Sequence, residues 1–464
     1  MAARKRAARL RYPLSRRLST GLLVIALAGC GWVEGGSPPA ATDADTALKT
    51  AVETAGGVQR FVQPRENDFE RIPQDPSNPL TEAKVRLGAM LFHDTSIAGN
   101  PAYPDMAGTY SCASCHHASA GFQAGLRQGI GEGGLGFGRR GEKRVADPMY
   151  RVDRIDVQPL RSPAALNVAY QSNLLWNGQF GAGGANVGTE SAWTAGTPKE
   201  ANRLGFEGVE TQAIAGMGVH RLKMDRYLAE RLGYLDAFDA AFPERPAASR
   251  YDEIASGLAI AAYERTLLAN RAPFQRWLQG ETWAMTESQK RGAVVFFGKA
   301  GCVGCHDGPA LSSMQFAVLG MGDLVGKDII GSDASRPDHQ GRASFTGRPQ
   351  DQYAFKTPQL YNLREARYLG HGGTFDGVEA VVRYKNLAAP QNERVAQAAL
   401  DSRFVPLHLT AEEIAQLVDF IENALNDPSL SRYVPASLPT GRCSMIVADP
   451  ASRIESGCDQ SGGD

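Results

Sequence analysis

Cys112-Ala-Ser-Cys115-His116 and Cys302-Val-Gly-Cys305-His306 constrain this chain more than any other feature. Cys-x-x-Cys-His is the pattern that covalent attachment of a c-type haem requires: the thiols add across the vinyl groups, and the adjacent histidine ligates the iron. A pair of zinc half-sites, or a redox Cys-x-x-Cys, would use the same cysteines. A histidine in the same place after both pairs argues against either. The chain is therefore read as carrying two covalently bound c-type haems.

The other cysteines fit an exported protein. Residues 1–20 carry Arg4, Lys5, Arg6, Arg9, Arg11, Arg16 and Arg17 with no acidic residue, and a short apolar run follows, ending Leu27-Ala28-Gly29-Cys30. Residues 1–30 read as a signal peptide, too short in its apolar part to span a bilayer. Small residues before Cys30 resemble a bacterial lipobox, which would make Cys30 a lipidated N-terminus and place the protein in the periplasm on a lipid anchor. An ordinary signal peptide with an incidental cysteine is the alternative. Cys443 and Cys458 are expected to pair as a disulfide in that oxidising compartment. A formal net charge of −1 gives no bulk attraction to nucleic acid.

Residues 31–60, which include the Gly-, Pro- and Ala-rich stretch Gly35 to Asp45, read as a flexible tether. Thr81-Glu82-Ala83-Lys84 opens a helix through Val85, Leu87, Met90 and Leu91 that leads to the first motif. Gly125 to Gly205 is glycine-rich and irregular, as long loops are. Tyr251 to Asn270 has apolar residues at helical spacing. Thr286-Glu287-Ser288-Gln289 is a capping box ahead of the second motif, and Thr410-Ala411-Glu412-Glu413 is another. The expected fold is mainly α: two tandem c-type cytochrome domains with long loops, over residues 61–280 and 281–440, and a tail over 441–464.

Further strings recur in a fixed order: Leu87-Gly88, Leu91-Phe92, Ser162-Pro163, Leu166-Asn167, Leu175-Trp176-Asn177-Gly178, Ala262-Tyr263-Glu264-Arg265-Thr266-Leu267, Phe355-Lys356-Thr357-Pro358 and His371-Gly372-Gly373. With the two haem motifs, this series resembles the bacterial di-haem cytochrome c peroxidases, a family that includes the methylamine dehydrogenase maturation enzyme. The resemblance runs from about Leu80 to Leu425. It implies peroxide chemistry at the first haem and electron entry or storage at the second, with Trp176 between them.

Several positions depart from the family. Many members block the first iron with a histidine in an Ile-Gly-His string; here the stretch is Ile130-Gly131-Glu132, which implies an open iron, with Glu132 read as a solvated loop carboxylate. His117 reads as a surface or propionate-contacting residue. Within Val209-Glu210-Thr211-Gln212-Ala213, the resemblance maps Gln212 to the distal amide. The family's second glutamate, ten residues on, is Leu222 here. His220 is the nearest group suited to proton transfer near neutral pH, and Glu210 is the carboxylate nearby. A long insertion before Glu210, including Trp193, could reshape this pocket. At the second iron the family uses methionine, and the maturation enzyme uses tyrosine; the aligned position is Lys385, with Tyr384 one residue earlier and no methionine nearby in sequence. Tyr384 is favoured, with Lys385 or an open site as alternatives. The family also binds calcium between its domains, partly through an asparagine where Arg161 or Ser162 stands here, so only carbonyl and water ligands would remain.

The leading reading is a di-haem peroxidase that reduces hydrogen peroxide with electrons from a small periplasmic donor, a cytochrome c or a cupredoxin. A maturation-type oxidase acting on a Trp or Tyr of a protein substrate is the second. A non-enzymatic di-haem electron carrier is the third.

Overall fold

The structure, a computed structural model, describes residues 42–443. Cys30, Cys458 and the signal peptide lie outside these residues. Seven helices of nine residues or more organise them: α1 (Asp43–Thr54), α2 (Glu82–His93), α3 (Gly208–Val219), α4 (Glu253–Arg265), α5 (Glu287–Phe297), α6 (Gly377–Leu387) and α7 (Ala411–Asp419). Thr81, Thr286 and Thr410 cap α2, α5 and α7 through their side chains, as the sequence signatures predict.

The tether expected over residues 31–60 is interrupted by α1. Thr42 and Asp45 form a reciprocal capping box there, and Leu48 and Val52, one turn apart, are fully buried. Asp45 is 1% exposed and accepts hydrogen bonds from Trp277 Nε1 at 2.8 Å and Lys290 Nζ at 2.9 Å. Composition hides this helix, because glycines and prolines just upstream dominate the window. The contacts that hold it come from residues far along the chain.

Two packed helix groups result. In one, α4 packs against α2 and α3; in the other, α5 packs against α7 and α1, and α6 against α7. Helix α4 is buried all round from Ala255 to Arg265, so it carries no polar face. Each group contains a crossing at near backbone contact. A Cβ at Gly88 of α2 would overlap the Ala259 carbonyl of α4, and a Cβ at Gly292 of α5 would overlap the Gln416 carbonyl of α7. One apolar core joins the groups, running from Leu48 and Leu87 through Leu258 to Phe296, Val382 and Leu417.

Between α2 and α3 the described chain has no α-helix, only short 3₁₀ turns and a two-stranded ladder, Gly134–Leu135 with Val145–Ala146. Two further antiparallel ladders, Phe316–Val318 with Ala354–Lys356 and Tyr368–Leu369 with Phe375–Asp376, complete the strand pairing among the described residues. The fold is mainly α, with the loops that glycine content predicts. Among the described residues no helix is long and apolar enough to cross a membrane.

Candidate functional site

Each Cys-x-x-Cys-His string folds as a tight turn at the mouth of a cavity. Cys112–Ser114 and Cys302–Gly304 are 3₁₀ turns. Cys112, Cys115 and His116 line a first cavity of about 230 Å³; Cys305 and His306 line a second of about 220 Å³. His116 Nδ1 donates to the Phe122 carbonyl at 3.2 Å. His306 Nδ1 faces the Leu311 and Pro358 carbonyls, both at 3.1 Å. Engaging Nδ1 fixes the tautomer and leaves Nε2 with its lone pair, as an iron ligand needs. Burial pushes both imidazoles down to about 4, which keeps them neutral.

Helix α3 supplies one wall of the first cavity. Gln212, Gly216 and His220 are spaced by four residues, so they share a face, and all three line the cavity. Glu210 does not. Two residues from Gln212, it lies on the other side of the helix, fully buried, where it accepts from Arg265 at 2.8 and 2.6 Å. The proposed catalytic carboxylate is thus half of a buried ion pair. Residue type alone cannot distinguish these roles; helical phase does.

His220, which ends α3, donates from Nδ1 to Asp156 Oδ2 at 2.7 Å. Burial would push this imidazole down, but the Asp156 carboxylate outweighs it and holds the pKa above its ordinary value. Asp156 also lines the cavity and was invisible in the sequence, 64 positions from its partner. Glu264 lines it too; burial and then the repulsion of Glu210 push its carboxyl up to about 8.

Glu132 is not a solvated loop carboxylate. It is fully buried and accepts from the Ala102 amide (2.5 Å), the Tyr103 amide (3.3 Å), the Tyr150 hydroxyl and Arg221 (2.5 Å). Its oxygens are spent on that loop, and it does not line the cavity. His117 is likewise buried, not at the surface, with Nδ1 at 3.0 Å from Ser119 Oγ and its ring edge-on to Phe137. In the insertion, Trp193 is buried away from both cavities and bonded to Thr189 Oγ1 at 3.2 Å, while Pro198 reaches the first cavity.

At the second cavity the favoured residue gives way to its neighbour. Tyr384 packs between Phe375 and Phe404 and donates its hydroxyl to the Leu319 carbonyl at 2.5 Å, outside the cavity lining. Lys385 lines the cavity, and burial pushes its amine down to about 8. A methionine is present after all. Met321 lines the same cavity from the loop after the second motif, too far from Lys385 in sequence for a local search to find.

The two cavities share a wall made by Arg161, Pro163, Ala164, Leu174, Leu175 and Trp176. Trp176 Nε1 donates to the Arg161 carbonyl at 2.7 Å, and its own carbonyl accepts from the Lys356 amide at 2.8 Å. His371 stacks on Phe355 at 3.6 Å and meets Trp176 edge-on at 6.2 Å. Arg161 is 3% exposed, and its Nε has no hydrogen-bond partner. Buried cations are ordinarily paired. An unpaired guanidinium facing an apolar cavity with a neutral histidine and free thiols suits an anionic, iron-bearing macrocycle, so both sites fit a haem.

Comparison with known proteins agrees with this geometry. The family described as di-haem cytochrome c peroxidase matches residues 82–283. A cytochrome-c peroxidase, IdrP1, of Denitromonas iodatirespirans is 30% identical over 400 residues, covering 81% of this chain and 90% of that one. Methylamine utilization protein MauG of Methylorubrum extorquens is 27% identical over 416 residues, covering 88% and 95%. Among solved structures, a MauG-like protein associated with microbial copper homeostasis superposes with a TM-score of 0.54 at 23% identity, over 79% of this chain and 97% of that one. That likeness bears on the fold.

Proposed function

The chain belongs to the di-haem cytochrome c peroxidase family, which implies two c-type haems, and from that premise we propose a peroxidase that reduces hydrogen peroxide with electrons from a small periplasmic donor. The observation that carries this reading is the inequality of the two cavities: both members of a hydrogen-bonded His–Asp pair, His220 and Asp156 at 2.7 Å, line the first, whereas His371 of the second stacks on Phe355 and lies 3.7 Å from Asp323, which is not in that lining. Thioethers from Cys112 and Cys115, and from Cys302 and Cys305, would hold the haems, with His116 and His306 on the irons. Bound there, the first haem supplies the iron that activates peroxide and the second stores an electron equivalent.

The protein's own groups do the rest. Because His220 Nδ1 donates to Asp156, Nε2 is free to take a proton from peroxide and return it to the leaving oxygen. The Gln212 amide, on the same helix face, orients the peroxide. Glu132 is tied to Arg221 and the Ala102 amide, so no side chain at that position blocks the first site. Trp176, on the shared wall, is the electron path between cavities. Lys385 is assigned as the residue facing the second iron, in place of Tyr384. The protein works in the periplasm, anchored through Cys30.

The unblocked first site also favours a second reading, an oxidase that uses stored equivalents on a Trp or Tyr of a partner protein. A ferric-state optical and EPR spectrum, taken before and after peroxide, tests both against an electron carrier. We expect a high-spin component that peroxide removes, and turnover with reduced cytochrome c. Low-spin haems indifferent to peroxide would refute both enzymatic readings. A long-lived oxidised state, discharged by a protein substrate but slowly by cytochrome c, would select the oxidase.

A further inference from the structure

We propose that the Arg161 guanidinium is the resident cation between the two haems, pairing with propionate carboxylates from both cavities, and that it stands in place of a calcium ion. The proposal rests on the reading that both cavities hold haem. Arg161 is the charged residue common to both linings, at 3% exposure. Its polar contacts are to neutral oxygens: Nη2 donates to Gln123 Oε1 at 2.8 Å and Nη1 to the Ser162 carbonyl at 3.5 Å. Nε, in a side chain more than nine-tenths buried, has no partner. No carboxylate among the described residues forms an ion pair with it. Burial pushes the guanidinium down to about 10, which still leaves it charged at neutral pH.

A buried charge left in that state is costly, and a planar fork of N–H donors is matched by carboxylates. Each haem brings two propionates and nothing else that is anionic at its periphery. The residue is also held rigidly by its own backbone. Its amide donates to the His371 carbonyl at 2.8 Å, and its carbonyl accepts from Trp176 at 2.7 Å. The same residue therefore fixes the indole on the shared wall and presents charge to both sides of it.

A calcium ion does not fit here. Among the described residues no group of three His, Cys, Asp or Glu side chains is gathered to hold a metal, so a calcium ion here would have to rely on carbonyl and water oxygens. A divalent cation beside Arg161 would also be repelled by a positive charge that cannot be deprotonated at working pH. Lys356 provides an internal contrast. It is buried, lines the second cavity alone, and donates to the Asn173 carbonyl at 3.0 Å and to Gln171.

The test uses the full holoenzyme. Haem content is measured first, and two haems per chain are required. Arg161→Gln should then lower both haem midpoint potentials, because unpaired propionates destabilise the oxidised iron less than the reduced one. Arg161→Lys should restore most of the shift, and Lys356→Met should move the second haem alone. Calcium chloride or EGTA should leave the potentials and spectra of the unmutated protein unchanged, and calorimetry should register no calcium binding. Fewer than two haems would remove the underlying reading and the proposal with it. With two haems in place, an Arg161→Gln protein with unchanged potentials would overturn the proposal alone. So would stoichiometric calcium binding or an EGTA-induced spectral change, and these are read on the unmutated protein should Arg161→Gln fail to assemble.

Discussion

Glu210→Ala separates a structural glutamate from a catalytic one. Glu210 and Arg265 are both 0% exposed in their side chains and are joined by two bonds of 2.8 and 2.6 Å. Removing the carboxylate leaves Arg265 with the Pro73 carbonyl at 3.0 Å and with Glu207, also at 3.0 Å but 40% exposed. Breaking a buried pair costs about 3–5 kcal/mol, because the remaining charge stays in the interior. Unfolding entropy of about 2.1 cal/mol/K per residue, over roughly 400 ordered residues, is about 0.8 kcal/mol/K. The melting temperature should therefore fall by roughly 4–6 °C, toward the lower figure because Glu207 keeps part of the charge satisfied. Calorimetric melts of the holoenzyme measure this, alongside peroxide consumption per haem well below the melting point. The rate should be nearly unchanged, and Glu210→Leu combined with Arg265→Met should recover most of the stability. An unchanged melt with peroxide cleavage slowed by about a hundredfold or more, the range of a lost acid–base group, would return Glu210 to the reaction and refute the assignment from helical phase.

Peroxide cleavage should rise with pH through the His220 pKa, since Nε2 must be neutral to take a proton. Asp156 raises that midpoint above the ordinary histidine value against the opposing effects of burial and Arg221, so Asp156→Asn should move it down; a stationary midpoint would detach Asp156 from the mechanism. Lys385→Met should convert the second haem to His/Met ligation with a higher potential, while Tyr384→Phe should leave its EPR signal alone. A changed signal in Tyr384→Phe would reverse that choice. Trp176→Phe should slow electron equilibration between the haems after rapid mixing with peroxide, with both optical spectra unaltered, and equal rates would remove the indole from the path.

Local signals were legible where the chain interacts with itself over a few residues. The capping boxes at Thr286 and Thr410, and the apolar spacing that becomes α4, needed only neighbours three or four positions away. The motifs were equally plain, because haem attachment is a five-residue chemistry. What escaped was decided by distant partners. Helix α1 depends on Trp277 and Lys290, and the burial of Glu132 depends on Arg221 and the Ala102 amide. Met321 and Lys385 reach one cavity from separate segments. Glu210 and Gln212 were adjacent in a motif, yet a helix sends them to opposite sides, and a string of letters carries no phase.

Proton supply gives an independent reason to place the reaction at the first cavity. Reducing peroxide to two waters consumes two electrons and two protons, and the proton that His220 shuttles within the peroxide accounts for neither. A site that turns over repeatedly must therefore reload from solvent. His220 is suited to this: it lines the first cavity, and the Asp156 carboxylate holds its pKa above the ordinary value against burial, so the imidazole can be reprotonated between turnovers. A neutral Glu264 carboxyl, pushed up to about 8, lines the same cavity as a second proton holder. No carboxyl held neutral lines the second cavity: the carboxylate in its lining, Asp401, is held below its ordinary pKa by Arg403. The same lining carries Lys356 and Lys385, amines that burial pushes down to about 7 and about 8, His371, which stacks on Phe355, and Asp401, held by Arg403 at 2.7 Å. A hydrogen-bonded His–Asp pair and a neutral carboxyl on the wall of the first cavity, with neither arrangement in the lining of the second, support placing the proposed peroxide chemistry at the first.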